Sequence, residues 1–255
     1  MGNFPGDPMK RAPLRLLTSA CMLASALPAA GQAAPGTGPW SATVYLQQSW
    51  PKQTEANRQI KQDINGTFGT RFDTWDDVAN LNLGVQVFRD LSPRWKVGLE
   101  FDYSAGRIHG AETVDTPAGP ATLAFEQTYS VYADLLAVVH FRPLGNTGRW
   151  VPFLIGGAGL AYEKDRTRLT LRNAFLDEGL QVDNDGWFPM VTVGVGLDVY
   201  LTERRTWYAE AGASYSWARL KHTAPASGSL APGPTVTADT DSTGPNVWLG
   251  IGRRF

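Results

Sequence analysis

The chain has 255 residues, with 23 basic and 24 acidic side chains and a net charge of −1. A balance this close provides no electrostatic footprint for nucleic acid or another polyanion. With one cysteine and three histidines there is no internal disulfide and no Cys/His cluster at metal-ligand spacing, so neither metal nor cofactor is expected.

In chain order, the first feature is "MKRAPLRLLTSACMLASALPAAGQA". Lys10, Arg11 and Arg15 precede an apolar run, and small residues cluster from Ala29 to Ala34. This reads as a cleaved secretory signal over residues 1–33, cut after Gly31 or Ala33, with Met9 a better start than Met1. Cys21 has too little apolar sequence before it to be a lipoprotein site. Residues 34–255 follow as one domain, with no linker or shift in composition. No later stretch approaches the roughly 18 apolar residues that a membrane-spanning helix needs.

From Trp40 onward the dominant pattern has period two, the mark of strands with two chemically different faces. Strand one covers Trp40 to Trp50, with Ala42, Val44 and Leu46 against Thr43, Tyr45 and Gln47. Strand two covers about Trp75 to Val87, with Leu81, Leu83, Val85 and Val87 against Asn82, Gly84 and Gln86. In "WKVGLEFDY", Trp95, Val97, Leu99, Phe101 and Tyr103 oppose Lys96, Gly98, Glu100 and Asp102. Strand four spans Tyr129 to Phe141, five Trp150 to Tyr162, six Trp187 to Leu201 and seven Trp207 to Trp217. The eighth is the terminal "NVWLGIGRRF". Short links ("RDLSPR", "RPLGNTGR", "TERRT") follow strands two, four and six. Segments of roughly 25 residues rich in Gly, Pro, Asp, Thr and Asn follow the odd-numbered strands, the spacing of an up-and-down barrel. "DNDG" (Asp183 to Gly186) looks like a piece of a calcium loop but lacks its remaining ligands, and is expected to be a turn.

Aromatics decide which face is outside. Trp40, Trp95, Phe141, Trp150, Trp207 and Phe255 mark the short-turn end of the apolar face. Trp50, Trp75, Tyr103, Tyr129, Tyr162, Trp187, Tyr215 and Trp217 mark the other. Two aromatic belts around an aliphatic band suit the two interfaces of a bilayer. An eight-stranded interior is also too narrow for so many large rings. The expected fold is therefore all-β: an eight-stranded antiparallel up-and-down transmembrane β-barrel, apolar face outward.

The inward face then carries Lys96, Glu100, Asp102, Asp134, His140, Asp198, Glu210 and Arg254, with glycines giving room. Lys96, Glu100, Asp134, His140, Asp198, Glu210 and Arg254 form a candidate lumen network. Either they pair with one another and fill the core, or they line a gated polar path. The apolar lumen residues Phe88, Leu136, Val138, Val151, Phe153, Ile155, Met190 and Trp248 either simply pack or leave a cavity for a hydrophobic ligand. His140 points inward, away from lipid. His109 and His222 fall in outer loops without recognisable catalytic spacing, so no catalytic residue is assigned.

The signal, the strand count, the short turns and the alternating strand ending on Phe255 together resemble the small outer-membrane β-barrels of the OmpA, OmpX and OmpW type. The glycine-rich "WVPFLIGGAGLAY" is similar to mid-barrel strands of that group. The resemblance implies a bacterial outer-membrane location and contact with outer-membrane lipid and lipopolysaccharide. A monomer is expected, and the charge balance implies no nucleic-acid partner. Val247, Leu249, Ile251 and Phe255 match the terminal signal read by the barrel-assembly machinery, with periplasmic chaperones acting before it. Arg253 stands where an apolar residue is more usual. The function implied is a non-enzymatic structural or surface-interaction role through long outer loops. The alternatives are a porin-like, OmpW-like transport barrel for small or hydrophobic solutes, and a lipid A-modifying enzyme.

Overall fold

The computed structural model describes residues 39–52, 54–77, 80–230, 233 and 235–255. The expected signal segment lies outside them. The strands are β1 (Trp40–Ser49), β2 (Asn80–Asp90), β3 (Trp95–Thr116), β4 (Gly119–Phe141), β5 (Trp150–Arg172), β6 (Asp177–Tyr200), β7 (Trp207–Ser227), β8 (Thr235–Asp241) and β9 (Gly244–Arg254). All but β8 form a closed antiparallel ring of eight, in which β9 is paired on one side with β7 and on the other with β1. Val44 lies opposite Ile251 and Leu46 opposite Leu249 across the closing seam. The Phe255 N–H donates to the Trp40 carbonyl at 2.9 Å, so the terminal residue is tied into that seam.

Parity follows the sequence pattern through the middle of the wall. Leu99, Leu135, Leu154, Val195 and Leu249 stand exposed on the outside, flanked by exposed Trp95 and Trp150 at one end and Trp50, Trp187 and Trp217 at the other. A continuous apolar belt of this size has no place in water. Between two aromatic girdles it matches the hydrocarbon band of a bilayer, and the wall is a transmembrane barrel.

Beyond the long-loop girdle the structure departs from the sequence expectation. Most of the expected loop length is strand. β3 and β4 continue to a tight turn at Pro117–Ala118, where Gly119 adopts a left-handed φ of 96°. β5 and β6 remain paired from Tyr162↔Trp187 to Arg172↔Asp177. The period-two signal persists there with new partners. Ile108, Val114, Leu123, Phe125, Leu169 and Leu171 point inward and are buried, while the alternate residues are polar because water has replaced lipid outside. The "DNDG" segment is not a turn but part of β6, with Asp183 opposite Arg166 and Asp185 opposite Lys164. β8, absent from the sequence reading, forms a further hairpin with β7.

The segment between β1 and β2 is helical. α1 (Thr54–Arg58) widens into a π-helix over Gln59–Asn65 and closes with one turn, α2 (Gly66–Phe68). β2 begins at Asn80 rather than at Trp75, which lies in a 3-10 turn, Trp75–Asp77. This segment forms a cap. Its Ile60, Phe72 and Trp75 pack on the inner face of the extended sheet in a second apolar core above the barrel. Trp75 meets Tyr129 edge-on at 4.5 Å, and Phe72 stacks on Phe125 at 5.8 Å. Trp75 and Tyr129 thus leave the expected lipid girdle and are buried. For Tyr129 the cause is a β-bulge at Ser130. The β4–β5 register steps from Tyr129↔Asp165 to Val131↔Lys164, so inward parity on β4 switches from even residues below the bulge to odd residues above it.

The parity assignment is tested by neighbours. Leu99→Arg places a charge near the bilayer midplane at a cost of roughly 2–4 kcal/mol. Glu100→Gln, on the lumen side, should assemble normally. Equal loss of the heat-modifiable folded band in both variants would contradict the assignment.

Candidate functional site

The lumen is divided along its length. At the short-turn end Arg142, just past β4, is almost wholly buried. Its Nη1 lies 2.8 Å from Asp90 Oδ1 and its Nη2 3.7 Å from Asp198 Oδ2. The Arg254 guanidinium donates to the other Asp90 oxygen. Lys96 Nζ lies 4.0 Å from Glu210 Oε2, and the Trp248 indole donates to Glu210 Oε1 at 3.0 Å. Lys96 Nζ also sits 4.3 Å from the centre of the Phe88 ring.

Of the seven network candidates, Lys96 and Glu210 are joined directly. Asp198 and Arg254 are joined through Arg142 and Asp90, which the sequence reading did not single out. Asp90 closes β2 on its inward parity, and that was the available signal for it. Arg142 lies beyond the last alternating residue, in a link read only as a turn. His140 belongs to an apolar layer instead: its ring lies between Phe88 (4.4 Å) and Phe153 (4.2 Å, nearly parallel), and neither ring nitrogen has a hydrogen-bond partner. Phe88, Leu136, Val138, Phe153, Ile155 and Trp248 complete this layer across the barrel. Phe153 is accommodated against Gly196, and Trp248 against Gly212, where any Cβ would overlap the ring.

Glu100 and Asp134 lie higher. The Gln86 amide donates to Glu100, and the Tyr45 hydroxyl donates to Asp102 at 2.8 Å. Asp102 faces Asp134 directly across the β3–β4 ladder. Asp134 is 2% exposed, and its Oδ1 has no hydrogen-bond partner. Above these carboxylates, under the cap, is a vestibule of about 100 Å³, with Asp134, Glu163, Tyr132, Tyr129, Trp75 and Asn246 among its lining residues. A void of about 10 Å³ lies further down, between Glu100 and Trp248. On one side the vestibule reaches Leu81 and Ala105, where β2–β3 pairing has ended at Leu83↔Tyr103. The arrangement is a polar, acid-floored chamber above a packed layer.

Outside the membrane, Asp165 faces inward under the cap. Burial pushes its carboxyl up to about 6, opposed by hydrogen bonds with Asn184 and Gln127, while the Asp183 charge raises it further. Gln127 also accepts the Trp75 indole N–H at 2.8 Å, linking Asp165 to the cap. On the outer face the Arg166 hydrogen bond holds Asp183 below the usual carboxylate range. His109 is exposed on that face, and the His222 side chain is outside the described residues. Among the described residues no His, Cys, Asp and Glu side chains are grouped for a metal ion.

Among solved structures, the chain is similar to the outer membrane protein OprG from Pseudomonas aeruginosa: 14% identity, TM-score 0.45, covering 88% of this chain and 99% of that one. It is also similar to the Escherichia coli outer membrane protein W (16%, 0.41, 86% and 99%) and to Ail, the attachment invasion locus protein of Yersinia pestis (14%, 0.37, 86% and 99%). No family model and no curated protein matches. No residue role passes from these structures to this chain.

Arg142→Ala would leave Asp90 and Asp198 without their shared guanidinium, at a cost of about 3–5 kcal/mol in unfolding from detergent. Arg166→Ala, in the exposed pair with Asp183, should cost at most about 1 kcal/mol. Similar losses would show that the lower lumen is not the dry network described.

The cap should respond to pH. Folded Asp165 holds its proton to about 6, against 3.8 ordinarily. The folded form therefore binds more protons between those values, and cap stability falls as pH rises through that window, by up to about 3 kcal/mol. Hydrogen exchange at the Trp75 indole should be slower at pH 4 than at pH 7 after correction for intrinsic rates. Asp165→Asn should remove the difference.

Proposed function

We propose that the chain is a bacterial outer-membrane barrel that neither conducts solute nor catalyses a reaction, and that acts through the sheet and cap held outside. The observation carrying this reading is the closed lower lumen: the Asp90–Arg142–Asp198–Arg254 cluster and the Phe88–His140–Phe153 stack fill the section below the vestibule. A non-catalytic role is supported by His140, which is held between two phenyl rings with no hydroxyl or carboxylate on either nitrogen. The short turns then face the periplasm and the extended sheet faces outward. β3 continues from Tyr103 to Thr116, a strand path of roughly 40 Å, far more than a connecting loop needs.

Exposed Lys164 and Arg168 follow Tyr162 on the outward face of β5, at the level where lipopolysaccharide headgroups would meet the wall. On the other end, outward Val247, Leu249 and Ile251 with the seam-bound Phe255 offer the edge pattern an assembly machinery would read. A second reading is favoured by the side of the vestibule at Leu81 and Ala105: transfer of small solutes between the chamber and the outer leaflet.

Purified protein in planar bilayers should give no conductance steps above the lipid baseline, and liposomes containing it should not swell in small sugars. Arg142→Ala, by loosening the plug, is the variant in which leakage would first be seen. Wild-type conductance steps would overturn the closed reading. Altered lipid A mass in cells producing the protein would overturn the non-catalytic one.

A further inference from the structure

The rim at the short-turn end carries charge of one sign. Arg89, Arg94, Arg149 and Arg204 are exposed there, and Arg253 is half-buried on the outward face of β9. Among the described residues of that rim, Glu203 has the one exposed carboxylate side chain. Asp90 and Asp198 are turned inward to Arg142 and Arg254. Arg205 is folded over the buried Tyr200 ring, 4.1 Å from its centre.

The level of these arginines is fixed by the aromatic girdle. Arg94 and Arg149 immediately precede Trp95 and Trp150. The Arg89 guanidinium lies 5.7 Å from the centre of the Trp40 ring, and that of Arg253 lies 5.5 Å from Trp207 and 5.7 Å from Phe255. A guanidinium against an interfacial ring holds its charge at the depth of the headgroup phosphates. The turns share that depth: the Leu91 N–H donates to the Trp95 carbonyl and the Leu201 N–H to the Trp207 carbonyl, each at 2.9 Å. Leu91, Leu144 and Leu201, one in each turn, are more than half exposed. Leucine beside arginine suits the boundary between acyl chains and headgroups better than open water.

The distribution indicates the partner. Arg89 and Arg94 flank the first turn, Arg149 closes the second, Arg204 lies in the third and Arg253 in the closing strand, so the charge runs round the rim. A protein or a soluble anion would meet one arc of it, whereas lipid meets the whole circumference. The other rim is different. There Arg107, Arg166 and Arg172 are ion-paired with Glu126, Asp183 and Asp177, and Lys164 lies opposite Asp185. The unbalanced charge belongs to one leaflet.

We propose that the short-turn rim selects anionic phospholipid, with a phosphate-diester headgroup of net negative charge, over zwitterionic phospholipid in the leaflet it meets. The proposed function enters only in naming that leaflet as the periplasmic one. Selectivity is measured in symmetric bilayers, where neither orientation nor conductance plays a part, so either reading can fail without the other.

The test places the full folded barrel in mixed bilayers of phosphatidylcholine and phosphatidylglycerol, one of them brominated on its acyl chains. Tryptophan quenching then reports which lipid contacts the wall. Phosphatidylglycerol meeting one guanidinium should be favoured about fivefold at low salt, and the preference should shrink as salt rises. Replacing Arg89, Arg94, Arg149 and Arg204 together by Gln should bring the two lipids to near-equal contact. Lys164→Gln with Arg168→Gln, at the other rim, should leave the preference in place. If the fourfold variant gives no heat-modifiable folded band, Arg94→Gln with Arg149→Gln makes the same comparison with a smaller loss. No preference in the wild type, a preference indifferent to salt, or an equal loss from the other-rim variants would overturn the proposal. So would displacement of phosphatidylglycerol by lipid A that the fourfold variant abolishes, which would assign the rim to lipopolysaccharide instead.

Discussion

Everything in this molecule depends on one requirement: no backbone N–H or C=O can be left open in hydrocarbon. A sheet meets it only by closing, and here closure is made by the ends of the chain, β1 against β9. Once eight strands close, the interior is set at about the width of its own side chains. The rest is accommodation to that width. Glycines sit where rings cross, as Gly196 does under Phe153 and Gly212 under Trp248. Charges are pressed close enough that each must be matched, shared or left costly.

In the lower half they are matched. Arg142 bridges Asp90 and Asp198, and Arg254 shares Asp90, so the two aspartates and two guanidinia act as one cluster. Removing any member strands the others, which ties barrel stability to the residues that also close the lumen. The cavity lies in the upper half, above the apolar layer, with Asp134 and Glu163 among its lining residues.

The wall was legible in the sequence because lipid on one side and a narrow polar lumen on the other impose the same period-two code on every strand. Leu99 beside Glu100 can be read without coordinates. The extended sheet was not legible as strand, although the alternation of Ile108, Val114, Leu123 and Phe125 was there. Its outward residues turn polar once the wall leaves the bilayer, and the composition then resembles a loop. The cap was hidden for a different reason: Ile60, Phe72 and Trp75 are spaced irregularly and find their partners only on strands far along the chain. Arg142 was missed because it stands in a turn, and its role follows from where that turn folds back over the lumen.

The bulge at Ser130 joins these levels. Without an extra residue on β4, the parity that places Asp134 inward would place Tyr129 outward in the girdle, with no aromatic partner for Trp75. The bulge is fastened by the Ser130 hydroxyl, which donates to the Lys164 carbonyl at 3.0 Å. Below it Asp134 and Tyr132 face the lumen; above it Tyr129, Gln127 and Phe125 do. The same irregularity therefore sets an acid at the chamber floor and an aromatic in its wall on one strand, and gives the cap the rings it packs on. A regular strand would supply one or the other. The chamber exists because the ladder slips by one residue just where the wall leaves the membrane.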